Sequence, residues 1–329
     1  MAKGSNQKLK LLYLMKILQE KTDDTHSITM QEILSELEAY GVSAERKSIY
    51  TDIECLRLYG MEIVGYQEER TYYYHVGKRN FELAELKLLV DSVQSSKFIT
   101  EKKSNELIKK IEGYASKYEA QQLQRQVYVS GRVKTMNETI LYGVDEIYNA
   151  IANNCRIKFQ YFQWNIKKKM ELKHDGAYYE VSPWALSWDD ENYYLVAYDH
   201  KAEMIKHFRV DKMIHIEALP VRREGRKDFR EFDMAQYAIK MFGMFDGEEQ
   251  QVKLRCANSM AGVMIDRFGK GIYIIPEEEG FFNVYVNVAA SRQFIGWIIS
   301  LGEGVKIIGP EAVVNQVNDE IDRWIRQYK

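Results

Sequence analysis

A multidomain α+β fold is predicted by three features of the sequence. The chain opens on amphipathic helices followed by a β-prone hairpin, its middle switches to an apolar period of two, and its last part alternates strands with helices. At 329 residues it exceeds the size at which one hydrophobic core usually keeps growing, so several domains are expected. The divisions read are a winged helix-turn-helix over 1–80, a helical linker over 81–140, a small β-barrel over 141–220, a linker over 221–248 and an α+β domain over 249–329.

The first helix is expected over 7–21, where Leu11, Leu14, Met15 and Leu18 recur at helical spacing. A second follows Thr29, an N-cap with Glu32 as its capping-box partner, buries Ile33, Leu34 and Leu37, and ends at Gly41. A third opens after Ser43, carries Ile49, Ile53 and Leu56 on one stripe, and stops at Gly60. The hairpin MEIVGYQEERTYYYHV follows, with its turn at Gln67 to Arg70. With the apolar stripe of the third helix inward, Lys47, Thr51, Glu54 and Leu58 point outward, with Tyr50 and Arg57 to one side and Ser48 to the other. Because major-groove readers use the N-terminal part of such a helix, Arg46, Lys47, Ser48, Tyr50 and Thr51 are the DNA-facing candidates. The competing reading is a solvated face on an ordinary three-helix unit.

Residues 81–118 are helical by period, with Leu83, Leu86, Val90, Leu107 and Ile111 on apolar faces, and a further helix is expected from Val144 to Ala152. From Cys155 to Pro220 the segments IKFQYF, YYEVSPWAL, YYLVAYD, MIKHFRV and MIHIEAL read as short strands, with turns at 173–176 and 188–192, which fits a small barrel. The stretch MAQYAIKMFGMF reads as a helix. After Glu249 the order is strand, helix, strand, strand, helix, strand, helix, with Pro310 at the start of the last helix.

The function classes that need a signature motif lack one. There is no phosphate loop, no GxGxxG opening a helix, no HExxH and no CxxC, so no enzyme activity, metal or cofactor is expected. Six histidines are scattered, and Cys55, Cys155 and Cys256 stand alone as reduced packing residues. The N-terminus lacks the apolar core of a signal peptide and no stretch suits a membrane helix, so a cytoplasmic protein is expected. A formal charge of -2 means that any nucleic-acid surface must be a local basic patch. The middle domain offers one: Tyr161, Tyr179, Tyr194 and Tyr198 with Lys206, His207, Arg209 and Lys212 combine rings for base stacking with cations for phosphate. Tyrosines in a half-buried sheet also pack by their rings without any ligand.

The order of these parts resembles the bacterial transcriptional regulators that join a winged helix-turn-helix to a WYL domain. ERKSIYTDIECLRLYGMEI is similar to that family's recognition helix and wing entry, with Thr51 where arginine is common. Tyr193, Tyr194 and Leu195 fall at the namesake Trp-Tyr-Leu positions, so Tyr193 replaces the tryptophan. SPWAL at 182–186 and KHFRVDKM at 206–213 resemble the family's Pro-centred strand and arginine-rich segment; Lys206 and Lys212 replace two arginines and Arg209 is retained. The resemblance implies an Sm-like, SH3-type barrel that senses a ligand, in some members a nucleotide or single-stranded oligonucleotide. It also implies a homodimer on a double-stranded DNA operator. On this reading Arg70 in the wing contacts phosphate, and Tyr194, His207 and Arg209, supported by Tyr161, Ser182, Lys206 and Lys212, line the sensor surface. The rival expectation is an assembly or accessory factor that uses its helix-turn-helix for protein contacts.

Overall fold

The computed structural model describes residues 7–123, 134–189, 191–230, 249–277 and 280–329. The helix expected from MAQYAIKMFGMF lies outside the described residues. The chain falls into two compact units, Met1–Glu138 and Thr139–Lys329.

In the first unit, α1 (Lys10–Lys21), α2 (Met30–Ala39) and α3 (Arg46–Tyr59) precede the hairpin β2 (Ile63–Glu68) and β3 (Thr71–Val76). A two-residue strand, β1 (Ile28–Thr29), pairs with β3, giving the three-stranded order β1-β3-β2 of a winged helix. The core of α1 is Leu14, Ile17 and Leu18, and Leu11 is exposed. The stripe therefore runs one step further toward the C-terminus than the sequence pattern suggested, because Ile17 completes the i, i+3, i+4 set with Leu14 and Leu18. Thr29 and Glu32 form the expected reciprocal capping box at the start of α2. In α3, Ile49, Ile53 and Leu56 are buried and Gly60 ends the helix at φ 107°, where a side chain would be strained. The strands pair as far as Glu68 and Thr71, so the wing turn is Glu69-Arg70 and not the longer Gln67 to Arg70.

Three further helices, α4 (Leu83–Ser95), α5 (Glu101–Glu112) and α6 (Lys117–Leu123), complete this unit. The last of them docks on the loop after α1 through polar contacts. Ser116 donates to Asp23 at 2.5 Å, and the rings of His26 and Tyr118 stack with centroids 3.7 Å apart.

The second unit begins with α7 (Ile140–Ala152). It continues with β4 (Cys155–Trp164), β5 (Met170–Leu172), β6 (Tyr179–Asp189), β7 (Asn192–Asp199), β8 (Met204–Arg209) and β9 (Met213–Arg222). The strand order is β5-β4-β6-β7-β8, with β9 also paired to β4. This is a half-barrel: among the described residues no ladder joins β8 to β9, which a 3-10 turn at Val210–Lys212 connects. Phe159, Tyr161, Tyr179 and Phe208 form a mutually edge-on and stacked aromatic cluster inside it.

A short helix, α8 (Arg226–Arg230), precedes the C-terminal part. There β10 (Glu249–Ala257), α9 (Ala261–Phe268), β11 (Ile274–Glu277), β12 (Phe281–Ala289), α10 (Arg292–Ser300), β13 (Val305–Gly309) and α11 (Glu311–Tyr328) follow in the order read from the sequence. The antiparallel sheet has the order β11-β12-β10-β13, a split β-α-β arrangement. One face of it, carrying Val252, Leu254, Val284, Val286 and Ile307, packs on Phe294, Ile298 and Val313 from the helices.

Candidate nucleic-acid interface and effector site

Helix α3 presents the DNA-facing candidates because its buried stripe leaves the rest of its surface outward. Arg46, Lys47, Tyr50 and Thr51 are exposed, while Ser48 is half-buried and accepts a hydrogen bond from the Lys10 ammonium. Lys10 also pairs with Asp52 at 2.7 Å, so Ser48 serves the packing of α1 on α3 as well as any external contact. Arg57 is committed inward: its Nε and Nη2 donate to the Ile63 carbonyl at 2.9 and 2.7 Å, fixing the wing to the end of α3. Arg70 lies exposed in the wing turn beside Glu69, which holds a positive φ.

The middle-domain candidates separate by the register of β7 and β8. Tyr194 faces Arg209 and Val196 faces His207, so Tyr194, His207 and Arg209 share one face. Lys206 faces Ala197 and forms an ion pair with Asp199 at 2.7 Å, which puts it on the opposite face. Ser182 pairs with Tyr198 further along the sheet and is fully buried. Its hydroxyl accepts from the Glu224 backbone N–H at 2.8 Å and contacts His200 Nε2 at 3.0 Å. Lys212 packs its ammonium over the rings of Phe162 and Trp164, 5.1 and 5.7 Å from their centroids. Tyr193, at the tryptophan position, packs edge-on to Trp188 at 4.6 Å.

Tyr161 has a role the sequence did not disclose. Its buried hydroxyl accepts the backbone N–H of Arg209 on the edge strand at 3.3 Å, so a side chain from β4 spans the gap where the half-barrel lacks a ladder. Burial pushes this phenol up to about 12, which keeps it a neutral partner at any physiological pH.

Around Arg209 the geometry is specific. Asp211 accepts from its Nε at 3.0 Å and from its Nη2 at 2.9 Å, and Asn192 accepts from Nη2 at 3.0 Å. Burial would lower the guanidinium, but the Asp211 bonds and charge outweigh it and raise Arg209 above its ordinary value. One edge of the planar fork is held by Asp211, and among the described residues Nη1 has no hydrogen-bond partner. The sequence reading missed Asp211 and Asn192. The signal for Asp211 was its place two residues after Arg209 in KHFRVDKM; for Asn192 nothing local pointed to the contact, which arises from strand pairing.

Among the described residues no group of three metal-ligating side chains occurs, and no helix is long and apolar enough to cross a membrane.

A winged helix followed by a half-barrel and a split β-α-β domain defines a modular α+β protein whose candidate sites sit on separate modules. The WYL domain model matches residues 143–218 and the WCX domain model residues 248–325, so the chain is a WYL- and WCX-domain protein. Among solved structures it is similar to Proteasome accessory factor B/C (PafBC) of Arthrobacter aurescens, at 16% identity and a TM-score of 0.28. That comparison covers 99% of this chain and 50% of the other, so the chain spans about half the length of that protein. No curated protein matches it.

Proposed function

We propose that this chain is a transcriptional regulator that binds an operator through α3 and the wing and is switched by an anionic ligand, a nucleotide or single-stranded oligonucleotide, held on the WYL domain. The observation that carries the first half is the outward exposure of Arg46, Lys47, Tyr50 and Thr51 over a fully formed Ile49/Ile53/Leu56 core, next to a wing with Arg70 at its tip. A helix placed this way lays its N-terminal residues against base edges while the wing meets phosphate. The second half rests on Arg209: Asp211 and Asn192 hold its fork in one orientation, ready for a phosphate, and Tyr194 lies beside it. Two copies, each reading one half-site, are the arrangement that suits a palindromic operator.

Lys47→Glu tests the DNA-binding half. The variant is expected to melt like the parent, since Lys47 is exposed, and to lose specific binding to genomic fragments selected by the parent protein. Unchanged affinity for those fragments would refute α3 as the reading helix. A rival assignment, protein contacts through the same helix, draws on Leu58 and Tyr59, which are 88% and 80% exposed at its C-terminal end. Binding of DNA whose log affinity falls steeply with log salt separates the two, because phosphate contacts release counterions and apolar protein contacts do not.

A further inference from the structure

The outer face of the C-terminal sheet is chemically unlike its helix-covered face. Cross-strand pairing sets Lys253 opposite Tyr285 and Arg255 opposite Asn283, with Lys306 alongside Arg255 on β13. The cations are already arranged against rings: Lys253 lies 5.6 Å from the Tyr285 centroid and Arg255 lies 3.9 Å from that of Phe281. Glu277 accepts from Arg255 Nε at 2.6 Å and so anchors the guanidinium that lies over Phe281. Tyr285 is 42% exposed and Lys306 is exposed, while the hydrophobic core of the domain lies on the other face. Lys253 and Lys306 have no carboxylate within ion-pair distance among the described residues. Lys253, Arg255 and Lys306 thus cluster on one face of a chain whose formal charge is -2, with Glu277 beside Arg255 and Glu249 four residues before Lys253 at the start of β10.

We infer that this open face of the WCX domain is a binding platform for single-stranded nucleic acid, separate from the Arg209 face. In a split β-α-β sheet the two central strands, here β10 and β12, carry the rings and cations across the middle of the open face. Tyr285, the exposed ring of this face, offers a stacking surface to an unpaired base, and the neighbouring lysines meet the phosphates beside it. A protein partner would favour an apolar centre; here the centre is Lys253, Arg255, Asn283 and Tyr285, which fits a polyanion with π-faces. The platform selects by strandedness, because paired bases present no free π-face.

The test uses the full-length protein and a fluorescein-labelled deoxythymidine oligomer of about 12 nucleotides, read by anisotropy and by ultraviolet crosslinking with peptide mapping. We expect Tyr285→Ala to weaken binding on the order of tenfold, Tyr285→Phe to retain it, and Lys253→Glu to weaken it and flatten the salt dependence. Crosslinks are expected within 281–285, and a duplex of the same length is expected to compete poorly. Arg209→Lys reports separately on the WYL face. If it alone lowers affinity while Tyr285→Ala does not, and crosslinks fall only within 155–222, the platform is overturned and the WYL reading stands. Absence of oligomer binding, or self-association lost in Lys253→Glu without any effect on the oligomer, would equally overturn it. The ring-retaining variant guards against misfolding: equal loss in Tyr285→Phe and Tyr285→Ala would mean the ring face is not what binds.

Discussion

Asp23 sits in the loop after α1 with both carboxylate oxygens engaged. One accepts from the Thr25 and His26 backbone N–H groups at 3.0 and 2.9 Å, and the other accepts from Ser116 at 2.5 Å. Burial alone would raise this carboxyl, but the bonds from Ser116, His26 and Thr25 outweigh it and hold Asp23 at about 2 instead of 3.8. A carboxyl depressed in the folded state stabilises it fully above its unfolded value. The contribution, about 2 kcal/mol, is lost as pH falls from roughly 4 through 2. Asp23→Asn is therefore expected to destabilise the N-terminal unit by about that amount at pH 7 and by little near pH 2, measured by urea unfolding at both pH values. An equal loss at both would show that packing, not charge, is what Asp23 supplies. Arg209 obeys a different logic. Truncating it would remove the two closest bonds of the buried Asp211 carboxylate and leave the longer pair with Lys212 at 3.7 Å, so Arg209→Ala confounds stability with binding. Arg209→Lys keeps the charge and loses the planar fork. It is expected to remain folded while ligand affinity falls about tenfold, and unaltered affinity would remove the fork from the site.

At the scale of elements, the capping box on α2 is the clearest case of sequence dictating structure. Thr29 accepts from the Glu32 N–H at 3.3 Å and Glu32 accepts in return from the Thr29 N–H at 2.7 Å. Thr29→Ala should cost about 1 kcal/mol, seen as a lower melting midpoint with DNA affinity unchanged once the protein is folded; a neutral result would mean water replaces the cap. Elements built on local signals of this kind were legible: the stripe of α3, the Gly60 stop, the wing, and the strand-helix order after Glu249. Features set by contacts distant in sequence were not. Ser182, expected to support the sensor surface, is fully buried, and its hydroxyl accepts from the backbone N–H of Glu224, 42 residues away. Lys206 and Lys212 read as phosphate-facing cations in KHFRVDKM, yet the fold sends one to Asp199 and sets the other over Phe162 and Trp164 beside Asp211. The opening of the barrel and the part Tyr161 plays across it depend on which strands fail to pair, a property no single segment encodes.

At the scale of the whole molecule, the proposed reader helix belongs to Met1–Glu138 and the proposed sensor to Thr139–Lys329. A ligand on one unit changes DNA affinity on the other only if it binds two states of the protein unequally, and the coupling is then reciprocal. The regulatory reading therefore makes a quantitative demand. If a saturating deoxythymidine oligomer changes operator affinity by some factor, saturating operator must change oligomer affinity by the same factor, expected on the order of tenfold for a working switch. Arg209→Lys should bring both factors toward one while operator affinity in the absence of oligomer stays near that of the parent, because Arg209 bonds only within the WYL domain. Lys47→Glu should abolish operator binding and leave oligomer affinity, measured without operator, unchanged. Factors of one in both directions for the parent protein would separate the two activities and leave DNA binding and ligand binding as independent properties of one chain.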